Sequence, residues 1–225
     1  MRMQHIAYGV GIMVVIIVIR IFFFEICLVP SASMEPTILP NEIVLYSKTP
    51  YGAVCPRRLS EIPLMNVFTW IAPLRKADEM SDWGNYRIGG YKRPKVNDVV
   101  VFRAMEEENK LMVKRIRKIY PKGTIVSISS TLGDSVRELI RRDHADIVCR
   151  QDKVYINGKQ TKEYVLSQDF FDVRGDNTKA SHDSRYFGLV PAEAIMGRMS
   201  LVIYSWNSNS YWPLNIRWNR LFKSI

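Results

Sequence analysis

The chain opens on an apolar run and then changes period. Ile6 to Ile19 carries no charge, and Ile21–Phe24 and Ile26–Val29 prolong the run past Arg20 and Glu25. At 1.5 Å per residue, the 24 residues from Ile6 to Val29 reach about 36 Å, enough to cross a hydrocarbon core of about 30 Å. A cleavable signal peptide is the rival reading; the run exceeds the usual apolar core of such a segment, so it is read as a retained anchor. Arg20 and Glu25 lie toward the far end, where the long arginine side chain can snorkel to the headgroups, a buried ion pair contacting a substrate helix being the alternative. Arg2 and the short leader point to an N-terminus in the cytoplasm.

Beyond Val29 the pattern is that of strands. Glu42–Tyr46 and Asp98–Phe102 are short runs rich in Val, Ile and aromatics. In Leu111–Ile119 the positions Met112, Lys114, Ile116 and Lys118 alternate with Leu111, Val113, Arg115, Arg117 and Ile119. Thr124–Ser129 and Lys153–Ile156 follow, the second closing on an Asn157-Gly158 turn signal, and Gly188–Val190 and Ile195–Ile203 complete the set. Ser135–Arg142 reads as the one surface helix. The expected architecture is mainly β: a leader and transmembrane helix over 1–29, then an antiparallel β domain over 30–225. Residues 51–94 and 127–150 read as insertions, and no periodicity assigns elements to the first. The tail, 204–225, mixes Trp206, Tyr211, Trp212, Trp218 and Phe222 with Arg217, Arg220 and Lys223. That composition suits either a membrane interface or a packed C-terminal segment.

Composition narrows the partners. The net charge of +10 (32 − 22) favours an anionic surface, nucleic acid or an acidic bilayer, and the apolar run makes the bilayer the nearer candidate. Three cysteines offer no C-x-x-C pair; Cys27 lies in the apolar run, and whether Cys55 and Cys149 pair is open. His5, His144 and His182 are scattered, so a histidine-rich metal site has little support.

The candidate chemistry sits where the apolar run ends, in Pro30-Ser31-Ala32-Ser33-Met34-Glu35-Pro36-Thr37. A serine hydroxyl is a weak nucleophile and needs a base at hydrogen-bond distance. Without a matching histidine, a lysine can serve if burial keeps it neutral. Lowering its pKa by about three units costs roughly 4 kcal/mol. Lys114 shares a strand face with Met112 and Ile116, the setting a desolvated lysine requires. Taken singly, Lys114 reads more readily as a solvated cation in Lys114–Lys118, and Ser33 more readily as a turn residue before Pro36 than as a nucleophile.

The combination with a C-terminal segment is more specific. Ser31-x-Ser33-Met34-x-Pro36-Thr37, Asp98–Phe102, Val113-Lys114-Arg115, Val154–Gly158, Gly175–Pro191 and Ile195-x-Gly197-Arg198 occur in the order of one family. With these blocks behind one apolar segment, the chain resembles a bacterial type I signal peptidase, a Ser/Lys-dyad serine peptidase. It departs from the family pattern at Thr178-Lys179-Ala180 and at Pro121-Lys122-Gly123.

The resemblance implies that Ser33 is the nucleophile and Lys114 the general base. It implies that the Ser31 hydroxyl joins the Ser33 backbone N–H in an oxyanion hole, that Ser181 orients the lysine, and that Asp183 and Arg185 form a supporting ion pair. His182 receives no role. By the same resemblance, Val29, Met34, Ile38, Met112 and Val113 wall shallow pockets that admit small residues, and cleavage follows an Ala-x-Ala-like pattern. It implies no metal and no organic cofactor. Exported preproteins and membrane phospholipids are the implied partners, and nucleic acid is not. The implied location is the bacterial cytoplasmic membrane, single-pass, with the catalytic domain outside. Two other readings stay open: a Ser/Lys processing peptidase with one dedicated substrate, and a non-enzymatic basic module binding membrane or nucleic acid.

Overall fold

The computed structural model describes residues 2–84, 86–105, 110–128, 134–150, 153–207, 211 and 215–225. Among the described residues four helices and twelve strands follow one another: α1 (Arg2–Phe22), β1 (Phe24–Val29), β2 (Glu42–Ser47), α2 (Ala72–Met80), β3 (Val99–Arg103), β4 (Leu111–Tyr120), β5 (Ile125–Ser127), α3 (Asp134–Arg142), β6 (Ile147–Arg150), β7 (Lys153–Ile156), β8 (Lys159–Gln160), β9 (Glu163–Val165), β10 (Phe170–Arg174), α4 (Ser184–Phe187), β11 (Val190–Pro191) and β12 (Ile195–Ser205). The fold is mainly antiparallel β behind one apolar helix. The chain divides into two units, one of Met1–Val29, Asn41–Pro94 and Met196–Ile225, the other of Pro30–Pro40 and Lys95–Ile195.

In the first unit, Gln4–Phe22 is long and apolar enough to cross a membrane, with a mean hydropathy of 2.2. The apolar run does not stay helical to Val29. Its last six residues form β1, which pairs antiparallel with β2 from Phe24↔Ser47 to Val29↔Glu42. Phe24, Ile26 and Leu28 are exposed while Glu25 and Cys27 are half-buried, a period of two that only a strand can satisfy. Arg20 pairs with Glu25, its Nε donating to Glu25 Oε1 at 2.9 Å, while the arginine side chain stays 41% exposed rather than buried. Lys48 Nζ lies 3.3 Å from Glu25 Oε2 and donates to the Arg20 carbonyl at 2.7 Å, satisfying one of the carbonyls that a helix leaves without a partner in its last turn.

β2 pairs on its other side with β12. The carboxylate of Glu42, fully buried on β2, accepts from Arg220 Nε at 2.7 Å, Arg220 Nη2 at 2.8 Å and Ser205 Oγ at 2.8 Å. The tail is therefore packed through Arg220, with backbone bridges Leu201↔Ser224 and Trp206↔Ile216. Trp218 and Phe222 still point outward, 66% and 74% exposed. Trp212 lies outside the described residues.

Residues 51–94, for which periodicity assigned nothing, form an arm with a paired base. Ala53 O accepts from Ile88 N (2.9 Å), Tyr86 O from Cys55 N (2.8 Å) and Pro50 O from Lys92 N (2.8 Å). Gly52, at φ 91°, permits this approach; a Cβ there would sit 1.9 Å from the Ile88 carbonyl oxygen. Beyond the base come 3₁₀ turns at Leu59–Glu61 and Met65–Trp70, then α2, opened by Pro73 and held by the bond from Ser60 N to Asp78 Oδ1 (3.2 Å). Such short, Pro-broken elements carry too few residues to show a period.

The second unit is built on β3, β4, β10 and β11, each antiparallel to the next. Val99 to Phe102 are all buried, the unbroken apolar run of a strand covered on both faces. β10, not expected from the sequence, buries Phe170, Phe171 and Val173 against β4, with a register shift between Asp172 and Val173. β5 pairs with β9, and β6, β7 and β8 form a small sheet. Ile140 of α3 packs there with Ile128, Ala145, Val154 and Ile156. The strand expected over Thr124–Ser129 is confined to β5, and Ser129 lies outside the described residues. Gly188, expected to open a strand, instead ends α4 at φ 82°. All three cysteines are free, so Cys55 and Cys149 do not pair.

The Glu42–Arg220 pair generates a stability prediction. Arg220→Met takes the bidentate guanidinium from a buried carboxylate, and the protein should lose about 3–5 kcal/mol, read by thermal or denaturant unfolding in detergent. Replacing both partners with Glu42→Leu and Arg220→Met should recover most of that loss.

Candidate active site

Pro30 ends the extended segment after β1, and the chain turns at once into a single 3₁₀ turn, Ala32–Met34, with Ser31 at its N-cap. Ser33 lies inside this turn and is 5% exposed. On β4, Lys114 lies opposite Val100 of β3 and is 3% exposed, on the face it shares with the fully buried Ile116. The two segments bring Lys114 Nζ within 2.7 Å of Ser33 Oγ, and Ser31 Oγ lies 3.2 Å from Ser33 Oγ. Burial pushes the Lys114 ammonium down to about 8, with the Asp183 carboxylate pulling the other way. The amine therefore reaches its neutral, proton-accepting form far more readily than an exposed lysine.

The loop after β10 forms the opposite wall. Ser181 Oγ donates to Asp183 Oδ2 at 2.7 Å. Asp183 is fully buried and also accepts from Arg185 Nε (2.8 Å), Arg185 Nη2 (3.0 Å) and Gly175 N (3.1 Å). Burial alone would raise its carboxyl, but bonds from Arg185, Ser181 and the backbone outweigh this and hold it well below the usual carboxylate range. Ser181 thus spends its proton on Asp183 rather than on Lys114, whose hydrogen bond goes to Ser33. His182 is exposed and stacks on Tyr186 at 5.1 Å between ring centroids.

Ser31, Ser33 and Lys114 open into a pocket of about 320 Å³ whose apolar lining is Ala104, Met105, Met112, Ala180 and Phe187. Of the pocket residues expected from resemblance, Met112 lines it. Met34, Ile38 and Val113 are buried in the second unit, and Val29 is buried at the end of β1 in the first. Ala104, Met105 and Phe187 were missed, because apolar residues at a strand end and in a four-residue helix carry no pattern.

A second group was also missed. Asp176 accepts from Arg115 Nε (2.8 Å), Arg115 Nη2 (2.7 Å), Arg117 Nη2 (3.1 Å) and Thr37 Oγ1 (2.6 Å). It thereby ties the segment after Ser33 to β4 and to the Gly175 loop. Asn177 N adds a bond to the Ser33 carbonyl at 3.0 Å. Gly175 makes this approach achievable, since a Cβ there would sit 2.3 Å from Ser181 Oγ and 2.4 Å from the Ser33 carbonyl oxygen. The signal was present in the sequence: Thr37, Arg115 and Asp176 each stand inside one of the matched blocks. Among the described residues no cluster of His, Cys, Asp and Glu is arranged to hold a metal ion.

The buried lysine has a stability consequence with a definite sign. Its pKa is lower in the folded than in the unfolded chain, so folding disfavours the proton. The penalty is fully present below about pH 8 and vanishes as pH rises past the ordinary value of 10.5. The fall corresponds to about 3 kcal/mol. Lys114→Met should therefore stabilise the protein at pH 7 and lose that advantage near pH 10.5, as unfolding curves at the two pH values will show.

Comparison with known proteins places these features in a family. The profile of the family described as "Signal peptidase, peptidase S26" matches residues 2–119 and 165–206. Signal peptidase I of Pseudomonas aeruginosa is 23% identical over 87% of this chain and 70% of its own length. That of Buchnera aphidicola subsp. Baizongia pistaciae is 24% identical over 93% and 79%, and that of Helicobacter pylori 22% identical over 96% and 90%. A solved signal peptidase I from Enterococcus faecalis V583 is 21% identical over 48% of this chain and 97% of its own, at a TM-score of 0.25, too low to carry an argument about the fold. The profile match spans most of the chain, both the segment with Ser33 and Lys114 and the final long strand, and the chain belongs to the signal peptidase family.

Proposed function

We propose that this protein is a membrane-anchored serine endopeptidase that removes signal peptides from exported preproteins after Ala-x-Ala-like sites. The observation that carries the reading is the 2.7 Å approach of Lys114 Nζ to Ser33 Oγ, with both groups buried and the amine pushed down to about 8. A solvated lysine in the same stretch would stay protonated and could not serve.

Neutral Lys114 accepts the Ser33 hydroxyl proton as Ser33 Oγ bonds to the scissile carbonyl carbon. The tetrahedral intermediate collapses, the C–N bond breaks, and the ammonium of Lys114 gives its proton to the departing amine. Water then attacks the Ser33 ester, passing a proton to Lys114, and the acid product leaves as Ser33 regains its hydrogen. Ser31 Oγ and the Ser33 N–H would hold the oxyanion; the N–H lies in the first turn of a helix, where such groups have no intrahelical acceptor. Ser181 and Asp183 act as positioning residues beneath the lysine, with Arg185 holding Asp183. A pocket walled by Ala104, Met112 and Phe187 suits a small apolar side chain beside the scissile bond. α1 anchors the chain with its N-terminus in the cytoplasm and the remainder outside, so that the preprotein and the bilayer are its partners.

The test is cleavage of a preprotein bearing an Ala-x-Ala site, with the full chain in detergent. Ser33→Ala and Lys114→Ala should both fold and both be inactive; an active Lys114→Ala would require another base. The pH profile of kcat/KM should rise through about 8, where the lysine becomes neutral. Because the Asp183 carboxylate raises that value, Asp183→Asn should move the rising limb to lower pH, a shift that a purely structural role for Asp183 would not produce.

A further inference from the structure

The arm over residues 51–94 has both ends at the C-terminal end of α1. Ser47, the last residue of β2, pairs with Phe24, and Lys48 bonds back to Phe23 O through its N–H (2.8 Å) and to Arg20 O through Nζ (2.7 Å). The arm leaves at Tyr51 and returns where Lys92 N meets Pro50 O. No part of its base is more than a few residues from the point where the apolar helix stops.

Along its length, base included, the arm turns large apolar and aromatic side chains outward. Trp70 is 83% exposed and Met80 81%, and Trp83, Tyr86 and Tyr91 are each half exposed or more. Tryptophan and tyrosine of this kind favour the headgroup level of a bilayer, where the ring is sheltered and its polar edge stays wet. The same segment holds seven Lys and Arg against four Asp and Glu, a net +3. α2 carries both features in one element: Leu74 and Met80 are exposed beside Arg75 and Lys76. The element is nevertheless ordered from within, through the Ser60–Asp78 bond and the Gly52–Ile88 contact, so its apolar surface is displayed by a built structure.

We propose that residues 51–94 are a second membrane-binding element, an interfacial paddle that lies on the bilayer beside the exit of α1 and prefers anionic phospholipid. This rests on reading α1 as a membrane span. Tethering at the helix exit makes the second contact effectively intramolecular, so each modest apolar and cationic contribution acts at high local concentration.

The test places nitroxide labels on the full chain in vesicles of phosphatidylcholine mixed with phosphatidylglycerol. Trp70→Cys, Met80→Cys and, within α1, Val14→Cys are labelled one at a time in a Cys55→Ser/Cys149→Ser background. Cys27 remains, because burial and the neighbouring Glu25 push its thiol up to about 12 and make it slow to label. The labels at 70 and 80 should collide with oxygen several-fold more, relative to a water-soluble nickel chelate, than a free aqueous nitroxide does. Reversing charge with Arg75→Glu/Lys76→Glu should lower that ratio at 80. Water-like accessibility at 70 and 80 with lipid-like accessibility at 14 overturns the paddle and leaves the anchor intact; water-like accessibility at all three overturns both. Labels shielded from both probes would indicate a protein partner and overturn the proposal. A ratio unmoved by the charge reversal overturns the preference for anionic lipid.

Discussion

An amine removed from water and held against a hydroxyl is the constraint around which the second unit is organised. Desolvation pulls the Lys114 ammonium toward its neutral form, and the same desolvation works against folding by about 3 kcal/mol at neutral pH. The surroundings have to offset that and still not pair the lysine with a close carboxylate, which would return its proton. Asp183 is near enough to be felt, yet its oxygens are occupied by Arg185, Ser181 and the Gly175 N–H. Arg185 thus supplies two of the hydrogen bonds that satisfy the Asp183 carboxylate.

The two ion-pair systems of the molecule differ in kind. Glu42 with Arg220 is fully interior and bidentate, and it closes the C-terminal segment onto β2 and β12 within the first unit. Asp176 with Arg115, Arg117 and Thr37 is partly exposed and joins three stretches that are far apart in the chain. The first holds the C-terminal segment; the second ties the segment after Ser33 to β4 and to the Gly175 loop. They lie in different units.

What the sequence made legible follows from period and from clustering. Leu111–Ile119 alternates over nine residues, long enough to identify β4 and to choose the face on which Lys114 lies. Ser31 and Ser33 stood out because prolines bracket them at the end of an apolar run. β1 was hidden in that run, since composition does not distinguish the last turn of a span from a strand of Ile, Leu and Val. β10 was hidden by its five residues and its register shift, and the arm over 51–94 by elements of three to nine residues. The pocket wall was illegible for another reason: Ala104, Met105 and Phe187 meet only through the pairing of distant strands, and no local rule links them.

Gly175 shows how much can depend on an atom that is not there. With hydrogen in place of a side chain, the carbonyl of Ser33 and the hydroxyl of Ser181 close over the same point, one from each wall of the cleft. The turn that carries Ser33 and the loop that carries Ser181 and Asp183 consequently meet backbone to side chain, and Asn177 N bonds to the Ser33 carbonyl at the same seam. Any side chain at position 175 would therefore have to push the Ser33 carbonyl and the Ser181 hydroxyl apart, so the closeness of these two segments is set by the smallest residue in the chain.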